Sequence, residues 1–161
     1  MAVTSRSANE LRKCPESIYD VLKSEHRQVQ KLFKQILNES KFNEVYGQIE
    51  KALLLHMQGE EEYFYPNVKT ADGGFMINEA LVEHKAAQNL MSEIDATNST
   101  DEMWLPRVKV LSEIIDRHIK KEENGLFKEA KKSFNEGKEC EIAENFIAAK
   151  LKDEGKFQPN V

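Results

Sequence analysis

Six residues in this chain of 161 have the types and spacing of metal ligands. Imidazole nitrogens and carboxylate oxygens suit a first-row metal such as iron, manganese or zinc. Two of the histidines are followed four positions later by a glutamate, which in a helix places both side chains on one face, one turn apart. The six candidate ligands are His26, His56, Glu60, His84, His118 and Glu122.

The number of donors indicates more than one metal ion. Four histidines and two glutamates exceed the ligand set of a tetrahedral zinc site. They divide naturally between two ions, each with two histidines, bridged by the two carboxylates. Such an arrangement leaves room for a bridging oxygen and an external ligand, so we predict a dinuclear centre.

Each histidine lies on the apolar stripe of a different predicted helix. One buried histidine is commonly a core residue, but four imidazoles in one core need partners for every donor and acceptor. Apolar residues at helical spacing predict five helices. They cover Ile18–Leu37, about Phe42–Tyr65, about Ile77–Ala96, Trp104 toward Phe134, and a shorter segment around Ile142–Ala149.

These helices predict an all-α fold. Four long helices joined by short loops favour an antiparallel up-down four-helix bundle, here with a short extra C-terminal helix. Ser17 is expected to cap the first helix together with Asp20, and residues 69–74 to form a loop. We predict a flexible lead-in at residues 1–16, the bundle at 17–135, and a C-terminal helix and tail at 136–161.

The two halves of the chain repeat one pattern. The segments that begin at Glu25 and Glu83 share E-H-[R/K]-x-x-Q-x-L-[F/M], and those that begin at His56 and His118 share H-x-x-x-E-E. This is typical of a duplicated helical hairpin with a pseudo-twofold relation between its copies. The repeat supports two metals independently of the ligand count.

Charge and composition limit the partners and the cellular location that we expect for this chain. The net charge is −5, from 23 basic and 28 acidic residues that are interspersed, which argues against nucleic-acid binding. The sequence has no apolar run long enough to cross a membrane and no apolar stretch of a signal peptide near its start. Cys14 and Cys140 form no C-x-x-C pair and are expected to be reduced thiols. A cytoplasmic protein is the expectation.

The order H…HxxxE…H…HxxxE resembles the hemerythrin-like (HHE cation-binding) family over about Ile18–Lys132. The resemblance implies two iron ions in a non-haem, oxo- or hydroxo-bridged centre, with the six residues above as ligands and both glutamates bridging. The ferritin-like class is rejected, because it uses Glu-x-x-His pairs and lone glutamates.

The sequence departs from the oxygen-carrying members of that family. They have a fifth histidine four residues before the third-helix ligand, where this chain has Ala80, and an aspartate as last ligand, where it has Glu122. The ligand set is instead similar to that of bacterial di-iron proteins that repair iron–sulfur clusters. Their cysteine-containing N-terminal module is not matched by a lone Cys14.

Three interpretations remain open at this point, one of which is a purely structural bundle with adventitious metal. The resemblance implies a di-iron protein that binds or reacts with O2, NO or peroxide in oxidative or nitrosative stress defence. Whether it is an enzyme, an oxidoreductase acting on NO or peroxide, is undecided. The alternative is a non-enzymatic iron or redox sensor that acts through an unknown protein partner.

Four further residues are candidates near the metals. Gln30 and Gln88 stand four residues after their histidines and could hydrogen-bond a bound oxygen ligand, or could face solvent. Tyr63 and Gly125 stand seven residues after His56 and His118 on the same helical faces. We predict that the two metals are inequivalent, with Tyr63 beside one as ligand or hydrogen-bond donor and a void near Gly125. Packing of Tyr63 in the core is the alternative.

Overall fold

The computed structural model describes residues 16–38 and 42–155 of the chain. This part contains six α-helices and two five-residue π-helical turns. The α-helices are α1 (Ile18–Asn38), α2 (Phe42–Gly59), α3 (Phe75–Asp95), α4 (Trp104–Lys121), α5 (Phe127–Ser133) and α6 (Glu136–Glu154). The first π-turn is Glu60–Phe64, between α2 and a short 3₁₀ turn at Tyr65–Asn67, and the second is Glu122–Leu126, between α4 and α5.

The predicted four-helix bundle is confirmed. Helix α1 packs against α2, α3 against α4, α2 against α3, and α4 returns against α1. The described residues contain no β-strand. Helix α6 packs on α1, α2 and the first π-turn. With 19 residues it is longer than the short C-terminal helix expected from the sequence.

The core consists of two apolar clusters with a polar layer between them. The first apolar cluster includes Phe33, Leu53 and Ile115. The second lies at the other end and includes Leu22 and Phe146. Along α1 the chain passes from the second cluster to the first between Leu22 and Val29, so residue 26 falls within the polar layer. Along α3 the same change occurs between Ala80 and Ala87, and after α2 and α4 it occurs in the π-turns, which place Phe64 and Leu126 in the second cluster.

Local signals in the sequence set several helix ends. The Ser17 hydroxyl accepts a hydrogen bond from the Asp20 backbone N–H at 3.2 Å and donates one to the Asp20 carboxylate at 2.9 Å, as the capping pattern predicts. The turn before α3 contains Gly73 and Gly74, which have φ angles of +70° and +96°. Glycine adopts such angles without steric cost, which explains the loop expected there.

Two expectations need correction. The segment Phe42–Tyr65 is not one continuous α-helix, because a π-turn interrupts it at Glu60. Cys140 on α6 is disulfide-bonded, so the expected reduced thiol is wrong for this residue. Cys14 and most of the predicted lead-in lie outside the described residues. None of the described helices has both the length and the apolar character to span a membrane.

Candidate metal centre

All six candidate ligands meet in the polar layer between the two apolar clusters. Each of these residues is at most 5 % exposed. Helices α1 to α4 each supply one histidine, and each π-turn begins with one of the glutamates. The in-register repeat of the two hairpins thus places four imidazoles and two carboxylates at one level of the bundle.

The first histidine pair is His26 and His56. Their Nε2 atoms lie 3.1 Å apart. Glu60 Oε1 lies 3.0 Å from His56 Nε2, and Glu122 Oε2 lies 3.2 Å from His26 Nε2. One donor atom from each of the four residues lies within 4.8 Å of the others. This group could hold one cation with four protein ligands.

The second histidine pair is His84 and His118, whose Nε2 atoms lie 3.2 Å apart. Glu60 Oε2 lies 3.3 Å from His84 Nε2 and 4.0 Å from His118 Nε2. These three residues form a second group of donors within 4.8 Å. Glu60 therefore directs one oxygen to each pair, whereas Glu122 groups with the first pair.

The donors at the centre fit cations. Glu60 Oε1 and both carboxylate oxygens of Glu122 are buried and have no hydrogen-bond partner among the described residues. A buried polar atom without a partner costs roughly 1–3 kcal/mol, so folded proteins seldom keep one. Two cations between the histidine pairs would satisfy these oxygens, and would compensate two buried negative charges.

Each histidine is held from behind by a glutamate of a neighbouring element. The Nδ1···Oε bonds are Glu25–His56 (2.8 Å), Glu61–His84 (2.8 Å), Glu83–His118 (3.0 Å) and Glu123–His26 (2.8 Å). They run from α1 to α2, from the first π-turn to α3, from α3 to α4, and from the second π-turn to α1. We call this closed set the glutamate ring. A carboxylate at Nδ1 holds the proton there and leaves the Nε2 lone pair free for the centre.

Together, burial and neighbouring charges leave the pKa values of His56 and Glu122 raised and that of Glu60 lowered. Burial alone would lower the pKa of His56, but Glu60 and Glu25 raise it to about 10. Burial and the charge of Glu60 raise the pKa of Glu122. Burial would also raise the pKa of Glu60, but His56, together with His26 and His84, holds it well below its ordinary value. The pKa values of His26 and His84 are raised as well. In the metal-free protein, protons on these three imidazoles balance the buried carboxylates, and metal ions would displace those protons.

Similar proteins are known at the level of sequence and of fold. The model of the hemerythrin HHE cation binding domain matches residues 17–130. The chain belongs to this family. A DNA nickase from Nostoc sp. is 30% identical to this HHE domain over 139 residues, which are 84% of this chain and 40% of that protein. The chain therefore spans less than half the length of that relative.

A solved structure supports the fold of the HHE domain. The crystal structure of a hemerythrin HHE cation binding domain-containing protein from Mycobacterium kansasii superposes with a TM-score of 0.76. The sequences are 18% identical, and the match covers 88% of this chain and 89% of the other. The bundle architecture is thus shared despite a low sequence identity.

The π-turns change which residues of the HHE domain lie above the cluster. The backbone N–H of Tyr65 bonds to the carbonyl of Glu60, five residues earlier, and Phe127 bonds to Glu122 in the same way. The wider turn brings Tyr65 over Glu60. The Tyr65 hydroxyl donates to Glu60 Oε2 at 3.1 Å and lies 3.3 Å from His84 Nε2.

The structure corrects the prediction for Tyr63 and bears on the void predicted near Gly125. Those predictions assumed 3.6 residues per turn, which the π-turns do not keep. Tyr63 is partly buried against the second apolar cluster and lines a crevice with Lys150. A Cβ at Gly125 would lie 3.8 Å from Sδ and Cε of Met76. Met76 lines a cavity together with Glu122 and Leu126, which precede and follow Gly125 in the chain, so a void lies close to this position.

The two halves also differ in the aromatic rings that lie beside the histidines. Tyr65 stacks on His84 with ring centroids 5.6 Å apart, and its counterpart Phe127 stacks on His26 at 6.2 Å. Of these two rings, the one beside the second histidine pair carries a hydroxyl group, and the one beside the first pair does not. This difference makes the two candidate metal positions chemically inequivalent.

The structure directs Gln30 and Gln88 away from the carboxylates. The Gln30 amide accepts a hydrogen bond from Arg27 at 2.6 Å and donates one to Asp116 at 2.8 Å. Gln88 lines an open crevice at the surface. On α1 the inward position is taken by the buried Val29, three residues after the histidine, so a residue four positions after it lies at the edge of the core face.

The sequence reasoning missed the glutamate ring and Tyr65. The signal for the ring was in the repeat, because a glutamate precedes His26 and His84, and a second glutamate follows Glu60 and Glu122. These residues flank ligands on one helix but bond to histidines of the next. Local spacing does not show such a pairing. No sequence signal indicated Tyr65, because its position depends on the π-turn.

Proposed function

We propose that the chain binds two iron ions in the polar layer and uses them to bind or react with small molecules such as O2, NO or peroxide. The proposal rests on one observation: two histidine pairs face inward and share the Glu60 carboxylate. In each pair, the donor atoms of the two histidines and of Glu60 lie within 4.8 Å of one another. Iron bound there would supply an open coordination position and one-electron redox chemistry.

The chain's own residues would hold, orient and shield this centre. The glutamate ring fixes the ring planes and tautomers of the four histidines. The two apolar clusters exclude water from above and below the polar layer. The Tyr65 hydroxyl, 3.1 Å from Glu60, is placed to donate a hydrogen bond to an oxygen ligand near the second pair.

Metal analysis with an optical spectrum tests this proposal. We expect two irons per chain and the near-ultraviolet bands of an oxo-bridged ferric pair. Turnover of NO and of peroxide by the loaded protein would then show whether it is an oxidoreductase. His118→Ala, purified in the same way, is the control with a damaged second pair. An iron content near zero in the unaltered protein would contradict the proposal.

A sensor function is the second candidate, because α6 is connected to the ligands. Lys150 on α6 forms an ion pair with Glu25, whose carboxylate also bonds His56. Loss of the metal or a change in its charge would alter His56 and Glu25 and thereby this contact. Amide hydrogen exchange of α6 with and without iron tests the coupling. Equal exchange in both states would contradict it.

DNA nicking is the activity named for the Nostoc relative. We propose that it does not reside in this domain, because the net charge of −5 opposes the phosphate contacts that DNA binding requires. Incubation of supercoiled plasmid with the iron-loaded chain tests this point. Conversion to the open-circular form, absent with the metal-free chain, would overturn it.

A further inference from the structure

The two histidine pairs are not covered equally. Helix α6 packs over the first pair, where the fully buried ring of Phe146 faces His56 with centroids 6.4 Å apart. Gly59 permits this approach, because a Cβ there would lie 2.4 Å from the Phe146 ring. No described helix covers the second pair in the same way. At that place the structure has a cavity.

The cavity opens to the surface between α3 and α4 and has a volume of about 170 Å³. Its floor includes His118 and Glu122, two of the candidate ligands. Its walls are Met76, Glu79, Ala80, Glu83, Lys121 and Leu126. A water molecule takes about 30 Å³ of liquid, and sites for drug-sized ligands measure roughly 300–1,000 Å³. The space therefore suits molecules of a few atoms.

The internal repeat explains why a cavity of this size lies beside the second pair. Among the described residues, the cavity that is lined by His26 and His56 of the first pair, and also by His118, measures about 10 Å³. Alignment of His26 with His84 pairs Leu22 with Ala80. Leu22 is 0 % exposed and fills its place in the second apolar cluster, whereas Ala80 is 7 % exposed and lines the cavity. A methyl group at Ala80 leaves open the volume that a leucine side chain occupies in the other half.

The second histidine pair also has fewer protein donors than the first. The first pair forms a group of four protein donors with both glutamates, and the second pair forms a group of three with Glu60. A metal ion at the second pair would keep more coordination positions free, and the cavity ends at His118 of this pair. Access and vacant coordination thus coincide at one metal position.

We propose that external ligands reach the metal of the second pair through the cavity beside Ala80, and that these ligands are small uncharged molecules such as a diatomic gas or hydrogen peroxide. This inference rests on the proposed function, since it requires metal in the polar layer. Beyond that function, the inference specifies which metal ion an external ligand reaches, the side of the bundle from which it enters, and the chemical class of the ligand.

The charges of the cavity favour neutral molecules over anions. Its lining includes the carboxylates of Glu79, Glu83 and Glu122 but one ammonium group, that of Lys121. Lys121 bonds Glu79 at 2.6 Å and Glu83 at 2.7 Å across the entrance. A lining with excess negative charge repels small anions such as azide and does not hinder NO.

The test measures NO binding to the reduced, iron-loaded protein by stopped-flow absorbance. Ala80→Leu should slow binding by about tenfold or more, equivalent to about 1.4 kcal/mol in the entry barrier, with the iron content unchanged. Met76→Ala widens the entrance and should accelerate binding. Ala86→Leu makes the same change on the exposed side of α3 and should leave the rate unaltered. If Ala80→Leu does not fold, the single variants Ala80→Val and Met76→Ala replace it. The first should slow NO binding and the second should accelerate it.

The outcomes separate this inference from the proposed function. Absence of iron from the unaltered protein refutes the proposed function. Full iron content with equal NO rates in Ala80→Leu, Met76→Ala and the unaltered protein refutes the access route alone. For the charge argument, Glu79→Gln should accelerate azide binding to the ferric protein and leave the NO rate unchanged. Equal effects on both probes would refute the preference for neutral ligands.

Discussion

Replacement of Gly59 by alanine tests how closely α6 covers the first histidine pair. Gly59 is the last residue of α2. A Cβ at this position would lie 2.4, 2.8 and 2.9 Å from Cε2, Cδ2 and Cζ of Phe146. Phe146 is fully buried and also faces His56, so a shift of its ring disturbs the packing around this histidine. The added methyl group must therefore displace α6 or distort α2.

The expected magnitude follows from two opposing contributions. Overpacking of a core costs about 1–3 kcal/mol. Alanine is favoured over glycine within a helix by about 1 kcal/mol. Gly59→Ala should therefore lower the free energy of unfolding by about 0–2 kcal/mol. Gly47→Ala is the matched control in the same helix, because its Cβ would meet nothing within 4 Å. It should raise the free energy of unfolding by about 1 kcal/mol.

Urea unfolding followed by circular dichroism measures both variants, with the iron content of each sample determined so that samples of equal metal content are compared. The two variants should differ by about 1–3 kcal/mol. In a Phe146→Leu background, which makes room beside α2, the cost of Gly59→Ala should fall. Equal stabilisation by both glycine substitutions would refute the close contact between α6 and α2.

Three further tests concern the metal centre. His56→Ala and His118→Ala should each reduce iron well below two per chain and lower stability, since metal bound to the folded state adds to its free energy. Unchanged iron in both would exclude this ligand set. Tyr65→Phe should alter the ferric spectrum or the NO kinetics, whereas Tyr63→Phe should not, and identical behaviour of the two variants would contradict the placement of Tyr65. Glu25→Gln should weaken iron binding in a chelator competition by about 10–100-fold, and an unaltered affinity would mean that Glu25 does not orient its histidine.

The helices and the set of converging residues could be predicted because their signals are local. The capping pair Ser17–Asp20 and the stripe that contains His26 lie within one helix, where 3.6 residues per turn relates spacing to side-chain direction. The pairs His56–Glu60 and His118–Glu122 follow the same rule up to the start of each π-turn. The internal repeat then allowed the ligands of the two hairpins to be matched from the sequence alone, without knowledge of their contacts.

The prediction failed where an added residue in a turn changes the register. The π-turn at Glu60–Phe64 replaces an i→i+4 hydrogen bond by an i→i+5 bond, which brings Tyr65 above Glu60 and turns Tyr63 toward the crevice beside Lys150. The energy of this turn depends on packing against neighbouring helices. Spacing within one segment therefore cannot predict it.

By itself, the sequence determined that four helices each direct one histidine into a bundle, with two glutamates one turn away. The tertiary structure alone decided which glutamate holds which histidine, as in Glu25 with His56 across α1 and α2. It also decided that Phe146 closes one histidine pair while Ala80 leaves the other open. The physical reason is that these features arise from contacts between distant segments, whose geometry is set by how the helices pack.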